Sequence, residues 1–231
     1  MNAADPNITV LELVVHAIGS LREELVLVGG CSVGLLISDT ARPPVRETID
    51  VDMVAQMTTI ADYYSTGEQL KACGFKQAPD EQNMCRWKRG NLILDVLPSN
   101  EKILGHSTNR WYPIAVSSAQ PCVLPSGLQI RLITAPLFMA TKFDAFHNRG
   151  EGDYLRHDME DIVNLVDGRI ELIEEVAQCP DLVKGYLREE FDILTTDDSF
   201  LDLLPAHFRG DATSQARVEV VIERMRKLAG L

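Results

Sequence analysis

The stretch VLVGGCSVGLLISDTARPPVRETIDVDMV, residues 26–54, carries the strongest structural pattern in the chain. Its first residues, VLV, end an apolar run that is typical of a short buried strand. Gly29 and Gly30 follow, and two glycines allow the backbone to turn tightly. A helix is predicted to begin at Cys31, because apolar residues recur after it. The first N–H groups of such a helix have no partner inside it, so an anion such as phosphate suits this position.

The same stretch ends in two acidic residues. After a break at Arg42-Pro43-Pro44, residues 47–54 are predicted to form a second strand, in which apolar residues alternate with Asp50 and Asp52. Side chains two apart in a strand point to the same face, so the two carboxylates lie together. They repel each other unless a cation joins them, which favours a metal site. The alternative is a plain turn followed by a solvated strand edge.

The spacing of the glycines argues against two other phosphate-binding patterns. A dinucleotide site has G-x-G-x-x-G after its first strand and an acidic residue about 20 positions further on. Gly29, Gly30 and Gly34 do not fit that spacing. A P-loop ends in G-K-[ST], which the sequence lacks.

Together, the strand, Gly29-Gly30, the helix and Asp50-x-Asp52 resemble the signature of the DNA polymerase β type nucleotidyltransferase superfamily. The spacer between the glycines and the acidic pair is somewhat long. Gly-Gly-Cys-Ser, followed by RETIDVD at residues 46–52, resembles the AbiEii-like toxin nucleotidyltransferase family. The resemblance implies an α/β fold: a mixed β-sheet lobe flanked by helices, with a C-terminal helical lobe. It also implies transfer of a nucleoside monophosphate from a nucleoside triphosphate, such as ATP, with release of pyrophosphate.

The resemblance implies three carboxylates with catalytic and metal-binding roles, Asp50, Asp52 and Asp95. They would hold two Mg²⁺ ions, with Mn²⁺ able to substitute. Asp95 lies in the apolar run LILDVL, and a lone carboxylate in such a strand is costly unless it is paired or bound to metal. An Asp at a frayed strand end is the alternative for this residue.

A second group of residues is implied for binding the nucleotide. It comprises the glycine turn, the two residues after it and a lysine further along the chain: Gly29, Gly30, Cys31, Ser32 and Lys142. Lys142 lies in KFDA, and Asp158 and Asp161 lie in DMEDI; these runs resemble the family's Lys-x-x-Ala and Asp-x-x-Asp helices. Asp158 and Asp161 lie three apart on one helical face and, with Arg46, are predicted to orient Lys142 or an acceptor group. A solvated lysine and an exposed acidic stripe are the alternatives.

The composition predicts a cytoplasmic protein with a sizeable core. Of 231 residues, 45% are hydrophobic, enough for one large domain or two small ones. No apolar run reaches the about 18 residues of a membrane helix, and the start MNAADPN lacks signal-peptide features, so no membrane partner is expected. Five cysteines without a C-x-x-C pair favour buried thiols over disulfides or zinc. The net charge of −12 argues against indiscriminate nucleic-acid binding but leaves room for a local basic groove, including Arg46, Arg86 and Arg149.

The sequence predicts a catalytic lobe at residues 1–135 and a helical lobe at residues 136–231. In the first lobe, helices are expected at 7–24 and 58–73, and strands at 75–77, 84–88, 91–97, 111–117 and 122–133. A tight turn at Arg89-Gly90 is predicted to join two of these strands. In the second lobe, Pro136 is predicted to open a long helix.

The sequence leaves the acceptor of the nucleotide open. By resemblance, the acceptor is a hydroxyl of tRNA or of a protein, and the chain is the toxin of a toxin–antitoxin pair, with an antitoxin protein as partner. The alternatives are a non-catalytic nucleotide-binding or regulatory module on the same fold, and a small-molecule nucleotidyltransferase like those that act on aminoglycosides. The three intact carboxylates favour an enzyme, and the net acidity weakens the tRNA alternative.

Overall fold

A computed structural model describes residues 5–39, 45–78, 85–103, 109–149 and 152–230. The predicted break at Arg42-Pro43-Pro44 and the predicted strand start at residue 84 lie outside them. Within the described residues, a seven-stranded mixed sheet is combined with helices, which confirms the predicted α/β class. The strands are β1 (Leu25–Val28), β2 (Val51–Ala55), β3 (Lys76–Gln77), β4 (Arg86–Arg89), β5 (Leu92–Pro98), β6 (Gln120–Val123) and β7 (Gln129–Leu132).

Helices account for most of the remaining described chain. The α-helices are α1 (Asn7–Ala17), α2 (Val33–Leu36), α3 (Ile60–Ala72), α4 (Tyr112–Ser118), α5 (Ala135–Arg149), α6 (His157–Gly168), α7 (Leu172–Gln178), α8 (Asp181–Thr196), α9 (Asp198–Leu203), α10 (Ala212–Gln215) and α11 (Arg217–Ala229). Short 3-10 helices lie at Gly19–Glu23, Gly30–Ser32, Glu101–Ile103 and Leu204–His207. In the described part of the chain, no helix combines the length and the apolar composition that crossing a membrane requires.

The sheet has the order β3-β4-β5-β2-β1-β7-β6. Its central strand β2 is antiparallel to β1 and parallel to β5. On the other side of β1, β7 runs parallel to it. All four residues of β1 are buried, and so are Val51, Met53 and Val54 of β2. Strands are buried on both faces where other elements cover the sheet. The strand order places the acidic strand β2 in the middle of this sheet.

The described residues form two compact units. The sheet unit comprises residues 5–35, 45–78, 85–103 and 109–134, and it contains all seven described strands. The helical unit comprises residues 36–39, 135–149 and 152–230. Within the helical unit, α5 packs on α6 and α8, and the rings of Phe143 and Phe191 meet edge to face at 5.3 Å. The assignment of one lobe to catalysis stays a prediction.

The predicted strand at residues 111–117 is wrong, because α4 occupies this stretch. Pro113 lies in the first turn of α4, where a missing N–H group breaks no helical hydrogen bond. The buried residues of this stretch include Trp111, Ala115 and Val116. Ala115 and Val116 follow Trp111 by four and five residues, a spacing that places all three on one side of a helix. The aromatic and β-branched residues favoured a strand, and tertiary packing overrides that weak preference.

The second strand begins at Val51 and not at residue 47, so Asp50 immediately precedes it. Ile49, which strand alternation had placed on the apolar face, is 72% exposed. The stretch before Val51 has no strand hydrogen bonds to fix the alternation of its side chains. Other contacts therefore have to position Asp50.

Candidate functional site

The glycine turn after β1 touches the acidic strand β2 directly. Gly29 has φ 66° and ψ −165°, a conformation open almost only to glycine. A Cβ atom on Gly29 would lie 2.0 Å from Oδ2 of Asp52 and 2.7 Å from its Cβ. Only a residue without a side chain therefore allows Asp52 to pack in this place. The structure brings together the turn and one of the carboxylates that the sequence marked.

Asp52 and Asp95 are register partners in the neighbouring parallel strands β2 and β5. Their side chains share one face of the sheet, on strands about 4.8 Å apart. Asp95 is only 4% exposed, so its carboxylate is almost entirely removed from water. A buried carboxylate needs a partner, and the next strand of the sheet supplies one.

Arg86 on β4 joins two of the three predicted carboxylates. It is the register partner of Asp95 across the antiparallel β4–β5 pair. Its Nε donates to Oδ1 of Asp95 at 2.9 Å, while Nη2 donates to Oδ2 of Asp95 at 2.8 Å and to Oδ2 of Asp50 at 2.7 Å. The side chain of Arg86 is 18% exposed. Asp50, Asp95 and the guanidinium thus form one ion-paired group, although the sequence marked Arg86 only as part of a basic groove.

Asn7, the first residue of α1, holds the segment that leads into β2. Its buried side chain donates from Nδ2 to the Arg46 carbonyl at 3.0 Å, and its Oδ1 accepts from the Thr48 N–H at 2.9 Å. The Thr48 hydroxyl in turn donates to Oδ1 of Asp50 at 3.1 Å. These bonds fix the approach of Asp50 to the sheet. The sequence pattern marked Asn7 only as part of a helix start, and no local signal pointed to its partners at positions 46 and 48.

Arg46 lies beside the second glycine of the turn. Its Nη2 is 3.3 Å from the position that a Cβ atom on Gly30 would take. A guanidinium group is a strong donor to phosphate, so the turn has a positive charge beside it. Arg46 was predicted to orient Lys142 or an acceptor group, and within the sheet unit its neighbour is the glycine turn.

Cys31 and Ser32 are fully buried behind the turn. The Ser32 N–H donates to the Gly29 carbonyl at 3.2 Å, and the Ser32 hydroxyl donates to the same oxygen at 2.7 Å. The Cys31 thiol donates to the Asp50 carbonyl at 3.3 Å. Burial, reinforced by the carboxylates of Asp52 and Asp50, raises the pKa of the Cys31 thiol, which keeps it neutral. Both side chains stabilise the turn, and their part in nucleotide binding stays a prediction.

In the helical unit, Lys142 on α5 lies between two aspartates of α6. Its Nζ is 2.7 Å from Oδ2 of Asp161 and 3.1 Å from Oδ1 of Asp158. Burial acts to lower the pKa of Lys142, but attraction to Asp161 and Asp158 outweighs it and raises the pKa. Arg149 donates from Nε and Nη2 to the two oxygens of Asp158, both at 3.0 Å. The structure therefore groups the three residues of the downstream motifs, while contact between Lys142 and a nucleotide stays a prediction.

The acidic group of the sheet unit has the donor chemistry of a magnesium site. Carboxylate oxygens are the hard ligands that Mg²⁺ prefers, and carboxylates are supplied by Asp52 and Asp95 in register on two neighbouring strands and by Asp50 just before β2. The guanidinium of Arg86 already stands there as a cation, bonded to two of the three carboxylates. As they stand in the described residues, no three His, Cys, Asp or Glu side chains are gathered closely enough to hold an ion. The three carboxylates have the right chemistry for a divalent metal. Because Arg86 is already bonded to two of them, any metal that binds here has to share these carboxylates with its guanidinium or displace it.

The chain was compared with known proteins. No protein-family model matches it, and no curated protein matches it. It is similar to the crystal structure of an antigenic nucleotidyltransferase-like protein from Paracoccidioides brasiliensis, with 18% identity over 74% of this chain and 82% of that chain and a TM-score of 0.49. It is also similar to the crystal structure of JHP933 from Helicobacter pylori, with 12% identity over 98% of this chain and 94% of that chain and a TM-score of 0.46. At identities and TM-scores this low, neither similarity assigns a family or an activity to this chain.

Proposed function

We propose that the chain is a metal-dependent nucleotidyltransferase that moves a nucleoside monophosphate from a nucleoside triphosphate to an acceptor hydroxyl. The observation that carries the proposal is the contact between Gly29 and Asp52, beside Asp95 in register on the next strand. A turn suited to phosphate thereby adjoins a group of carboxylates suited to metal. The resemblance of the motifs to the nucleotidyltransferase superfamily supports the same function.

In this proposal, different residues of the sheet unit bind the phosphates, hold the metal and accept the proton. The glycine turn and Arg46 bind the phosphates, because backbone N–H groups and a guanidinium are both phosphate donors. Asp50, Asp52 and Asp95 would hold Mg²⁺, which when bound supplies charge neutralisation for the phosphoryl oxygens. Asp95 takes the proton of the acceptor hydroxyl while the hydroxyl oxygen bonds to the α-phosphorus of the triphosphate. The bond from the α-phosphorus to the bridging oxygen breaks, and pyrophosphate leaves.

The acceptor we propose is a hydroxyl of tRNA or of a protein, and the chain would be the toxin of a toxin–antitoxin pair that an antitoxin protein restrains. This part rests on the motif resemblance alone. Of the two acceptors, a protein suits the net charge of −12 better, because most of the affinity for RNA comes from contacts to phosphate.

One observation favours a second candidate function, a non-catalytic nucleotide-binding module. Arg86 already neutralises Asp50 and Asp95, as a permanent ion pair would in a site that has lost its metal. In such a protein the glycine turn would still bind phosphate. Nucleotide binding without transfer would distinguish it from an enzyme.

The test is incubation with each of the four triphosphates labelled at the α-phosphate, with Mg²⁺ and cell extract, followed by separation of RNA from protein. We expect label in one of these fractions for the wild type and none for Asp52→Asn. A parallel melting experiment should show that a triphosphate with Mg²⁺ raises the Tm, since a ligand of the folded state stabilises it by mass action. A raised Tm without label would support the binding module, and neither effect at millimolar ligand would contradict both functions.

A further inference from the structure

The guanidinium of Arg86 donates hydrogen bonds to carboxylate oxygens that the proposed metal ion would also need as ligands. Both oxygens of Asp95 accept from Arg86, at 2.9 and 2.8 Å, and Oδ2 of Asp50 accepts from it at 2.7 Å. These bonds reach two of the three predicted metal ligands. A divalent cation bound to the same oxygens would stand within a few ångströms of a fixed positive charge.

We propose that Arg86 is a resident counter-cation that competes with the divalent metal, so that its ion pair with Asp50 must open before the metal site is complete. Asp50 is the side of the bridge that opens more readily. Its side chain is 26% exposed and accepts from Nη2 through Oδ2, whereas that of Asp95 is 6% exposed and accepts through both oxygens. Arg86 therefore stays beside Asp95 while it releases Asp50.

This competition has a physical benefit in a protein that spends time without metal. Carboxylates on neighbouring strands repel one another when no cation is present. Arg86 offsets this repulsion and keeps Asp50 and Asp95 close to their working positions. The same bonds lower the metal affinity, because a site that is competent for only part of the time binds with an affinity reduced by that fraction. Arg86 would thus set the metal concentration at which the protein becomes active.

The role of Arg86 rests on the proposed function, because it assumes a metal at the acidic group. The test is therefore binding of Mn²⁺ alone, measured by calorimetry or electron paramagnetic resonance without nucleotide. Arg86→Met removes the guanidinium and keeps an unbranched apolar stem. Lys88→Met is the matched control, since Lys88 lies two residues further along β4, pairs in register with Ile93 and carries the same charge.

We expect Arg86→Met to bind Mn²⁺ at least about tenfold more tightly than the wild type, which corresponds to a competent fraction of about one tenth in the wild type. Lys88→Met should stay within about twofold of the wild type. Equal or weaker binding by a folded Arg86→Met would overturn the inference, since it would show that the guanidinium supports the metal or is indifferent to it. Equal tightening in both variants would also overturn it, because general charge and not the Arg86 bridge would be the cause.

Two further measurements keep the test decisive if Arg86→Met does not fold. Arg86→Lys keeps one charge but cannot bond both carboxylates as a planar fork, so an intermediate tightening is expected. In the wild type, the ¹⁵Nη2 signal of Arg86, the nitrogen that donates to Asp50, should shift on titration with Mg²⁺, which is diamagnetic, and an unchanged signal at saturating Mg²⁺ would overturn the competition. Asp52→Asn distinguishes a failure of the role proposed for Arg86 from a failure of the metal site itself. If the wild type binds Mn²⁺ and Asp52→Asn does not, only the role of Arg86 is in question, whereas no Mn²⁺ binding by any variant would overturn the metal site and the inference together.

Discussion

Replacement of Gly29 by alanine should damage the protein through two separable effects. An alanine at φ 66° and ψ −165° costs about 1–3 kcal/mol of backbone strain. Its Cβ, 2.0 Å from Oδ2 of Asp52, forces that carboxylate or the turn to move, and overpacking of this kind costs about 1–3 kcal/mol more. The expected loss of unfolding free energy is therefore about 2–6 kcal/mol. In a chain of this size each kcal/mol lowers the Tm by about 2–4 °C.

The control for strain alone is Gly127→Ala, at a position with φ 84° and nothing within 4 Å of the added Cβ. We expect that variant to lose only about 1–2 kcal/mol. Denaturant titrations of both variants should be repeated in the Asp52→Ala background, which removes the Oδ2 atom that would lie 2.0 Å from the added Cβ and leaves only the Cβ of residue 52, at 2.7 Å. There the loss from Gly29→Ala should shrink by about 1–3 kcal/mol, as a double-mutant cycle reports for residues in contact. An equal loss in both backgrounds would refute the contact between the turn and Asp52.

Three further predictions concern the supports of the site. Lys142→Met should lower the free energy of unfolding by about 3 kcal/mol or more at neutral pH, because it leaves the buried Asp161 without its cation; a loss below about 1 kcal/mol in denaturant titration would contradict this. Asn7→Ala should cost about 1–3 kcal/mol and lower nucleotide transfer, since it removes the two hydrogen bonds that the buried Asn7 side chain makes to the segment before Asp50; an unchanged denaturation midpoint would show that these bonds do not matter. Burial acts to raise the pKa of Asp158, but hydrogen bonds from Arg149 and the charge of Lys142 outweigh it and lower the pKa, so the stabilising effect of Asp158 is present above the ordinary pKa of an aspartate and is lost as the pH falls through the lowered value. Asp158→Asn should therefore melt below the wild type at pH 7, with a gap that narrows once the pH falls below 3.8, the ordinary pKa of an aspartate; a gap that stays constant through this value and below it would rule out the titration of Asp158 as its source.

Much of the sheet side of the site follows from short-range patterns. The strand, the glycine pair and the acidic pair are contiguous in the sequence, so their order in space depends on few choices. The position of Arg86 did not follow from the predicted turn. The turn lies at Gly90 and residue 91, which pairs Arg89 with Leu92 and sets Arg86 opposite Asp95. The predicted turn at Arg89-Gly90 lies one residue earlier, and its register would have set Arg86 opposite Ile93.

The contacts that the sequence did not predict are long-range. The bonds from Asn7 reach 39 and 41 residues along the chain, and nothing near Asn7 announces them. The parallel register that sets Asp52 beside Asp95 depends on a crossover, which local periodicity does not fix. Lys142 was predicted to bind phosphate and to be oriented by Asp158 and Asp161, but its burial between these two aspartates depends on how α5 packs on α6, which the sequence did not fix. The error at α4 has a similar origin, because the packing of Trp111 and Val116 decided between helix and strand.

The most direct measurement compares the wild type with Asp52→Asn for nucleotide transfer and for Tm without metal, in the same preparations. Asparagine keeps the shape and one oxygen of Asp52 but removes its charge. Transfer should fall by orders of magnitude, because a ligand of the proposed metal site is lost. The metal-free variant should melt at the wild-type temperature or slightly above it, since losing the charge of Asp52 relieves the repulsion from Asp50 and Asp95 that their ion pairs with Arg86 offset only in part. A variant that transfers nucleotide as well as the wild type, or that melts markedly lower without metal, would contradict the catalytic role of Asp52.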